Sequence, residues 1–363
     1  MASESKTSTY SASRPRLAIN NKFEREMGEA TLRSILVEES TQGLFRCEAS
    51  FANWGPVPGQ SADHRFFDRQ LLDFGKEFSV AFGPPGEAGP VFAGRITGLE
   101  ASYFPDRGAE LLVLAEDRFQ ELRMERRTRT FENKTDADVF KQIVEDHGLK
   151  SSIDVDGPSH RILAQVNQSD LAFLRQRAAA IDAEVWIDNR TLFAQARARR
   201  SSGRVALTKR DGLLFFNVLA DLAQQRTAVR VSGWDVANKQ AIDVEVTEST
   251  IRAELEGRRS GSDTLKSLDS KQRVERIALS APLTEDEARA TAQARYRSRA
   301  RGFVRGYGVA RGTPRVRVGS TVELSDLGPL FDGPYYVTLA RHTFDSEYGY
   351  RTTFYVERPG IGG

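Results

Sequence analysis

The sequence predicts a mainly β protein: two related antiparallel β modules, a small α+β unit between them, and a helix-containing connector set into the second module. Three observations carry this. A strand signature occurs twice in the same order, Gly and Pro punctuate short apolar runs, and the middle of the chain switches to helical periodicity. In the first copy, Phe74-Gly75-Lys76-Glu77-Phe78-Ser79-Val80 leads to Phe92-Ala93-Gly94, to Phe104-Pro105-Asp106 with Gly108, and to a closing strand from Leu111 to Ala115. In the second, Val318-Gly319-Ser320-Thr321-Val322-Glu323-Leu324 leads to Phe331-Asp332-Gly333, to Phe344-Asp345 with Gly349, and to a closing strand from Thr352 to Val356. Upstream, Phe45-Arg46-Cys47 leading to Trp54 is matched with Val229-Arg230-Val231 leading to Trp234. A chain that folds one module twice sets two near-equivalent faces around an axis, so a small oligomer imitates a ring of twice its subunit number.

Residues 1–16, rich in Ser, Thr, Lys and Ala, read as a flexible arm with no apolar segment of a secretory signal. Residues 17–125 form the first module. Its strands fall at Leu32 to Val37, Leu44 to Phe51, Phe74 to Phe82, Val91 to Leu99 and Leu111 to Ala115, broken by turns such as Gly83-Pro84-Pro85-Gly86, a spacing that suits a barrel or a sandwich. Residues 126–203 form the α+β unit. Thr135 is the expected N-cap of a helix carrying Val139, Phe140, Ile143 and Val144, with Gly148 as its stop. A second helix starts at Ser169-Asp170, and Val185 to Phe193 read as a hairpin. Residues 204–250 and 303–363 form the second module, with strands at Leu213 to Val218, Ala228 to Val231, Ile242 to Val246, Val316 to Leu324, Pro334 to Leu339 and Thr352 to Val356. The inserted connector, 251–302, is a mobile polar stretch from Arg252 to Gln272 followed by a helix. That helix has Thr284 as N-cap, Glu287 as its capping-box partner, and a seam of Ala288, Ala292, Tyr296 and Ala300.

Composition excludes several classes. The 363 residues include 52 basic and 50 acidic side chains, a net charge of +2 that argues against a dedicated nucleic-acid binder. The lone Cys47 permits no intrachain disulfide and suits a reducing cytoplasm as the place of synthesis. No apolar run reaches the ~20 residues needed to cross a bilayer. His64, His147, His160 and His342 stand at no metal-ligand spacing, and neither a nucleophile elbow nor a phosphate loop is present, so no catalytic, metal or cofactor site is expected. Gly302-Phe303-Val304-Arg305-Gly306-Tyr307-Gly308 reads as a bend where the backbone needs room.

Arginines cluster at three module borders, around Arg123 to Arg129, Arg197 to Arg204 and Arg295 to Arg301. Planar guanidinium groups suit ion pairs across interfaces. Arg126, Arg127, Arg129, Arg199, Arg200, Arg295, Arg299 and Arg301 are therefore the candidate interface residues. No aromatic residues interleave them as a nucleic-acid stacking platform would require.

Gln165-Val166-Asn167-Gln168-Ser169-Asp170-Leu171-Ala172-Phe173-Leu174, preceded by Asp138-Val139-Phe140, resembles the signature of the phage late control protein D family, shared by the N-terminal part of type VI secretion spike (VgrG) proteins. The stretch from Phe331-Asp332-Gly333 to Tyr350-Arg351-Thr352 is similar to that family's closing hairpin. The resemblance implies two tube-like β-barrels per subunit and a homotrimeric, non-enzymatic hub at the centre of a contractile-tail baseplate, in a phage virion or an injection system. It also implies as partners the hexameric tail tube protein, a trimeric spike on a separate polypeptide, other baseplate components, and the tape-measure protein or a cargo. The competing readings are a tail-associated cell-wall hydrolase and a basic nucleic-acid-binding module.

Overall fold

The computed structural model describes residues 14–25, 27–57, 60–83, 88–269, 271–278 and 284–362. Most of the expected N-terminal arm lies outside these residues, as do the turn at Pro84-Pro85-Gly86 and the pair Pro282-Leu283; Arg16, placed in the arm, already opens a strand.

The first half is mainly strand: β1 (Arg16–Ile19), β2 (Leu32–Ser40), β3 (Arg46–Ala52), β4 (Glu77–Phe82), β5 (Gly89–Ser102) and β6 (Glu110–Glu116), with a helical turn at Met27–Thr31 and a short helix at Phe119–Arg123. Alternation sets the faces: on β3, Cys47, Ala49 and Phe51 are buried while Arg46, Glu48 and Ser50 point away. Leu17 on β1 shares one core with Ile35 on β2, Phe78 on β4 and Val113 on β6, so the sheet wraps around it.

The middle unit follows. β7 (Arg126–Thr135) pairs antiparallel with β9 (Ser159–Ser169). Between them run α1 (Asp136–Asp146) and β8 (Lys150–Asp154). Thr135 caps α1 in a reciprocal box with Asp138, and Gly148 ends it with φ +60. Ser169 caps α2 (Asp170–Ala180) by accepting from the Ala172 N–H. β10 (Ala183–Asp188) and β11 (Thr191–Ala196) form the expected hairpin, and β8 joins β11 in parallel.

The second half begins with β12 (Arg204–Thr208) and β13 (Leu213–Ala220). An insertion follows: β14 (Ala228–Asp235), β15 (Gln240–Thr247), α3 (Gly261–Leu268), β16 (Val274–Ala278) and α4 (Glu285–Arg301). The half is completed by β17 (Val304–Arg311), β18 (Thr321–Ser325), β19 (Gly333–Asp345) and β20 (Gly349–Arg358).

Four expectations need correction here. The strands at Ala228 to Val231 and Ile242 to Val246 do not belong to the second module: β14, β15 and β16 form their own sheet, and α4 lies on it through Ala288, Ala292, Tyr296 and Ala300. The pairing of Phe45-Arg46-Cys47 with Val229-Arg230-Val231 fails for the same reason. Arg252 to Gln272, expected to be mobile, holds α3 and a short helix at Arg252–Leu255, with Leu255 and Leu265 buried. The glycine-rich Gly302 to Gly308 run is a strand from Val304 on, where a side chain at Gly308 would come within 2.5 Å of the Phe354 ring.

Both halves contribute to one 13-stranded sheet, whose central path runs β13-β17-β20-β19-β2-β3-β6-β5-β4-β1 before a last two-residue strand. The first half reads β2-β3-β6-β5-β4-β1 and the second β13-β17-β20-β19-β18-β12, so each strand of one has a counterpart in the other in both chain order and sheet order. Four of the five pairings along each path are antiparallel in both halves; the fifth differs, since β1 runs antiparallel to β4 and β12 parallel to β18. Two of the irregularities coincide as well, while a slip of β4 against β5 between Val80 and Ala81 has no match between β18 and β19. β2 slips register against β3 between Leu32 and Ser34, and β13 slips against β17 between Leu213 and Phe215. β5 slips against β6 between Ile96 and Gly98, and β19 against β20 between Val337 and Leu339. Such bulges bend and twist a strand at a defined place, so shared bulges give the halves shared curvature.

The halves join where β19 pairs with β2, from Leu339 opposite Ser40 to Asp345 opposite Ser34. Beneath this seam Phe82 stacks on Tyr350 with ring centres 3.8 Å apart. Glu39, fully buried, is held by Arg317 and by the Val318 N–H at 3.3 Å.

Candidate functional site

The broadest feature is the sheet face turned away from the cores. Directly opposed residues on paired strands share a face. Arg341 faces Glu38, Glu38 faces Arg46, Arg46 faces Glu116, Glu116 faces Arg95 and Arg95 faces Glu77. A ladder of alternating charge thus crosses six strands and the seam between the halves. Arg46 reaches Glu38 at 3.2 Å, and Arg95 turns to Glu121 of the adjoining turn at 3.0 Å. The neighbouring row is Thr343, Leu36, Glu48 and Leu114, and the next is Asp345, Ser34, Ser50 and Leu112. Such a face sets a charge-paired row beside half-buried leucines in the first half and, in the second, beside the stacked Tyr307 and Tyr355. Chemically it can present a wall that mixes paired charges with apolar and aromatic side chains.

The arginines singled out from the sequence are mostly engaged within the chain. Arg129 bridges Asp146 at 2.6 Å and Asp170 at 2.8 Å, and Arg127 lies beside the same two carboxylates. Arg199 pairs with Asp154 and Asp156, and Arg295 and Arg299 both pair with Glu275. Arg200 is buried against the Trp186 ring, 3.9 Å from its centre, and pairs with Glu184 at 2.7 Å. Arg301 is buried between Asp182 and Glu254, and burial, which opposes its charge, is outweighed by these two partners, so its pKa is raised. Arg126 is exposed and donates to the Asn167 carbonyl at 3.0 Å. The structure therefore brings Arg200 and Arg301 together as clamps between the middle unit and the second half, while Arg199 and Arg129 brace the middle unit itself.

The Gln165 to Leu174 run is a strand-to-helix corner. Asp170 accepts from Gln165 at 2.9 Å and from Arg129 at 2.8 Å, with His147 Nε2 at 2.8 Å. Burial opposes ionisation of Asp170, and these bonds override it and hold its pKa down. Asn167, with φ +48, turns the chain before the cap.

Sequence reasoning missed what His160 does. Its Nδ1 meets Glu287 on α4, its Nε2 lies 3.1 Å from Asp136, and Arg177 bonds Asp136 at 2.6 Å. Burial alone would lower the imidazole pKa, but the two carboxylates raise it. The partners are 24 and 127 residues away in sequence, so no local pattern marks the cluster. His342 is the opposite case: buried, with its Nδ1 2.8 Å from the Tyr350 hydroxyl, its pKa is pushed down to about 3 by burial first and then by Arg317.

A cleft of about 560 Å³ lies between the middle unit and α4; its lining includes Asp156, Asp182, Arg199, Glu254 and Arg297. Its charges pair with one another, Arg297 with Asp182 at 3.5 Å and Arg199 with Asp156 at 2.6 Å. Among the described residues no group of three or more His, Cys, Asp or Glu is placed to hold a metal ion, and no helix is long and apolar enough to cross a membrane.

Residues 56–346 match the model of the family described as the Alg8 N-terminal domain. None of the curated proteins matches the chain. Among solved structures, the 43 kDa tail protein of prophage MuSo2 from Shewanella oneidensis is similar over 95% of this chain and 98% of its own, with TM-score 0.66 and 15% identity. A tail protein from Neisseria meningitidis is similar over 96% and 97%, with TM-score 0.67 and 11% identity. The Escherichia coli c3393 protein, a component of the type VI secretion system with structural similarity to the T4 bacteriophage tail proteins gp27 and gp5, is similar over 96% and 79%, with TM-score 0.57 and 13% identity. At these identities the likeness is one of fold.

Proposed function

The chain belongs to the Alg8 N-terminal domain family, and we propose that it is a non-enzymatic structural hub of a contractile-tail baseplate. In this reading it is made in the bacterial cytoplasm and built into the particle, in a phage tail or a related injection system. Three copies close a ring in which six similar half-sheets meet the hexameric tube protein, and the same trimer seats a trimeric spike.

The observation that carries the reading is the duplication inside one sheet. Two halves with the same strand order and coincident bulges are joined edge to edge, which is the arrangement that lets an n-fold ring present 2n equivalent elements. The charge-balanced ladder supports it by tying the two halves together with paired charges across the seam. The fold shared with phage tail proteins agrees. The interface role expected of the arginine clusters falls, in this reading, to the exposed Arg126, which bonds a backbone carbonyl, since the others pair with carboxylates of the chain.

The test is native mass spectrometry of the purified chain, alone and with its tube protein. A trimer that nucleates tube polymerisation is expected. A monomer that persists with the tube protein present would overturn the proposal.

A further inference from the structure

Resting on that ring reading, we infer that copies of this chain join by a second version of the seam already made inside it, with β13 of one copy pairing antiparallel with the upper half of β5 of the next.

Inside the chain, β2 pairs with the part of β19 beyond its bulge, Leu339 to Asp345. The counterpart of β19 is β5, and the counterpart of β2 is β13. On β5 the equivalent stretch, Gly98 to Ser102, pairs with β6 on one side, while among the described residues no strand pairs with the other, because β4 ends opposite Arg95. β13 likewise pairs with β17 on one side and ends the sheet on the other. The chain therefore carries one completed seam and both halves of an unmade one, on different edges.

Burial shows what the open halves lack. At the made seam Ile35, Val37 and Glu39 on β2 and Ala340, His342 and Phe344 on β19 are all buried. Their counterparts on β13, Phe216, Val218 and Ala220, are half-buried; on β5, Leu99 is half-buried and Ala101 and Tyr103 are exposed. Phe344 is 5% exposed, whereas its counterpart Tyr103 is 69% exposed. Leu214, Phe215 and Leu219 leave an apolar edge strand open to solvent, the kind of edge that templates pairing with another chain.

Transferring the register of the made seam places Asn217 opposite Ser102, as Leu36 is opposite Thr343, and Leu219 opposite Glu100, as Glu38 is opposite Arg341. Phe216 then meets Tyr103. The contact uses different surfaces on the two copies, so it is head-to-tail and propagates until it closes. The sheet would continue around the assembly with alternating halves.

The test is disulfide trapping in the full chain, with the buried Cys47 left in place. Directly opposed residues have Cβ atoms ~4.5–5.5 Å apart, close enough for a disulfide with slight adjustment. The matched pairs are Asn217→Cys with Ser102→Cys, and Leu219→Cys with Glu100→Cys; Asn217→Cys with Ala101→Cys is the mismatched control. Mild oxidation should give covalent multimers for both matched pairs, ending at the ring size, and at least tenfold less product for the control. A native multimer without matched cross-links would overturn this seam and leave the ring reading standing. A monomer without cross-links, both alone and with the tube protein present, would overturn both. Equal cross-linking of matched and mismatched pairs would overturn the register.

Discussion

Gly75 and Gly319 stand at the same point in the two halves, each in the left-handed region, with φ +78 and +85. Each donates its N–H to the residue just before the β5 or β19 bulge, Gly75 to Ile96 at 2.8 Å and Gly319 to Val337 at 3.1 Å. The bulge residues match too: Thr97 donates its hydroxyl to the Leu114 carbonyl at 3.4 Å, and Thr338 to that of Tyr355 at 3.3 Å. Any L-residue at these glycines meets a steric penalty of ~1–2 kcal/mol. Gly75→Ala has open space around its new methyl group and should cost about 1 kcal/mol. At Gly319 an added Cβ would lie 2.7 Å from Arg200 Nε and 3.0 Å from Ser202 Oγ. Gly319→Ala should therefore cost more, ~2 kcal/mol or above. Urea midpoints of the two variants check the order; equal losses would contradict it.

Arg301 carries a heavier load. It donates to Asp182 in the middle unit and Glu254 in the insertion, at 2.9 and 2.7 Å. Removing one partner of a buried ion pair leaves an uncompensated charge and costs ~3–5 kcal/mol. Arg301→Leu should fall in that range by chemical denaturation, whereas Arg126→Leu, at an exposed arginine, should change stability by less than about 0.5 kcal/mol.

Much of this architecture was legible in the chain because it is local. Strand alternation, the Thr135, Ser169 and Thr284 caps, and the paired glycines are all written within a few residues. What failed depends on distant partners. β14 alternates like a module strand, and only its pairing with β15 and β16 removes it to another sheet. The true counterpart of Phe45-Arg46-Cys47 is Val304-Arg305-Gly306 on β17, where only the arginine is shared. The arginine runs were plain to see, but the partner of Arg301 lies 119 residues away. An ion pair and an exposed interface cation look the same in sequence.

The His160 cluster makes stability depend on pH. Asp136, Glu287 and Arg177 face the imidazole. Its folded pKa is raised, so the stabilisation it gives is complete below the unfolded value of ~6.5 and is lost as pH rises through the folded value. Asp136 and Glu287 have lowered pKa values, burial being overcome by His160 and, for Asp136, by Arg177 as well. Their contribution is present above ~4 and is lost on acidification. Stability from this cluster should be greatest between about pH 4.5 and 6.5. His160→Gln should remove the decline on the alkaline side, read from urea midpoints across that range and up to about pH 9; an unchanged slope would rule the cluster out as its source.

Glu38 lies in the ladder between Arg341 and Arg46, with both guanidinium groups bonded to it. Opposed charges across strands contribute roughly 0.2–1 kcal/mol each, and like charges destabilise by similar amounts. Glu38→Gln should therefore cost about 1 kcal/mol, and Glu38→Lys, which sets three cations in a row, about 2 kcal/mol. The excess loss in the lysine variant is electrostatic. Raising the ionic strength from about 0.05 to 1 M shortens the screening length to ~3 Å and should bring the two variants together. Denaturation midpoints at the two salt concentrations decide this, because a packing defect at Glu38 would leave the gap between the variants unchanged.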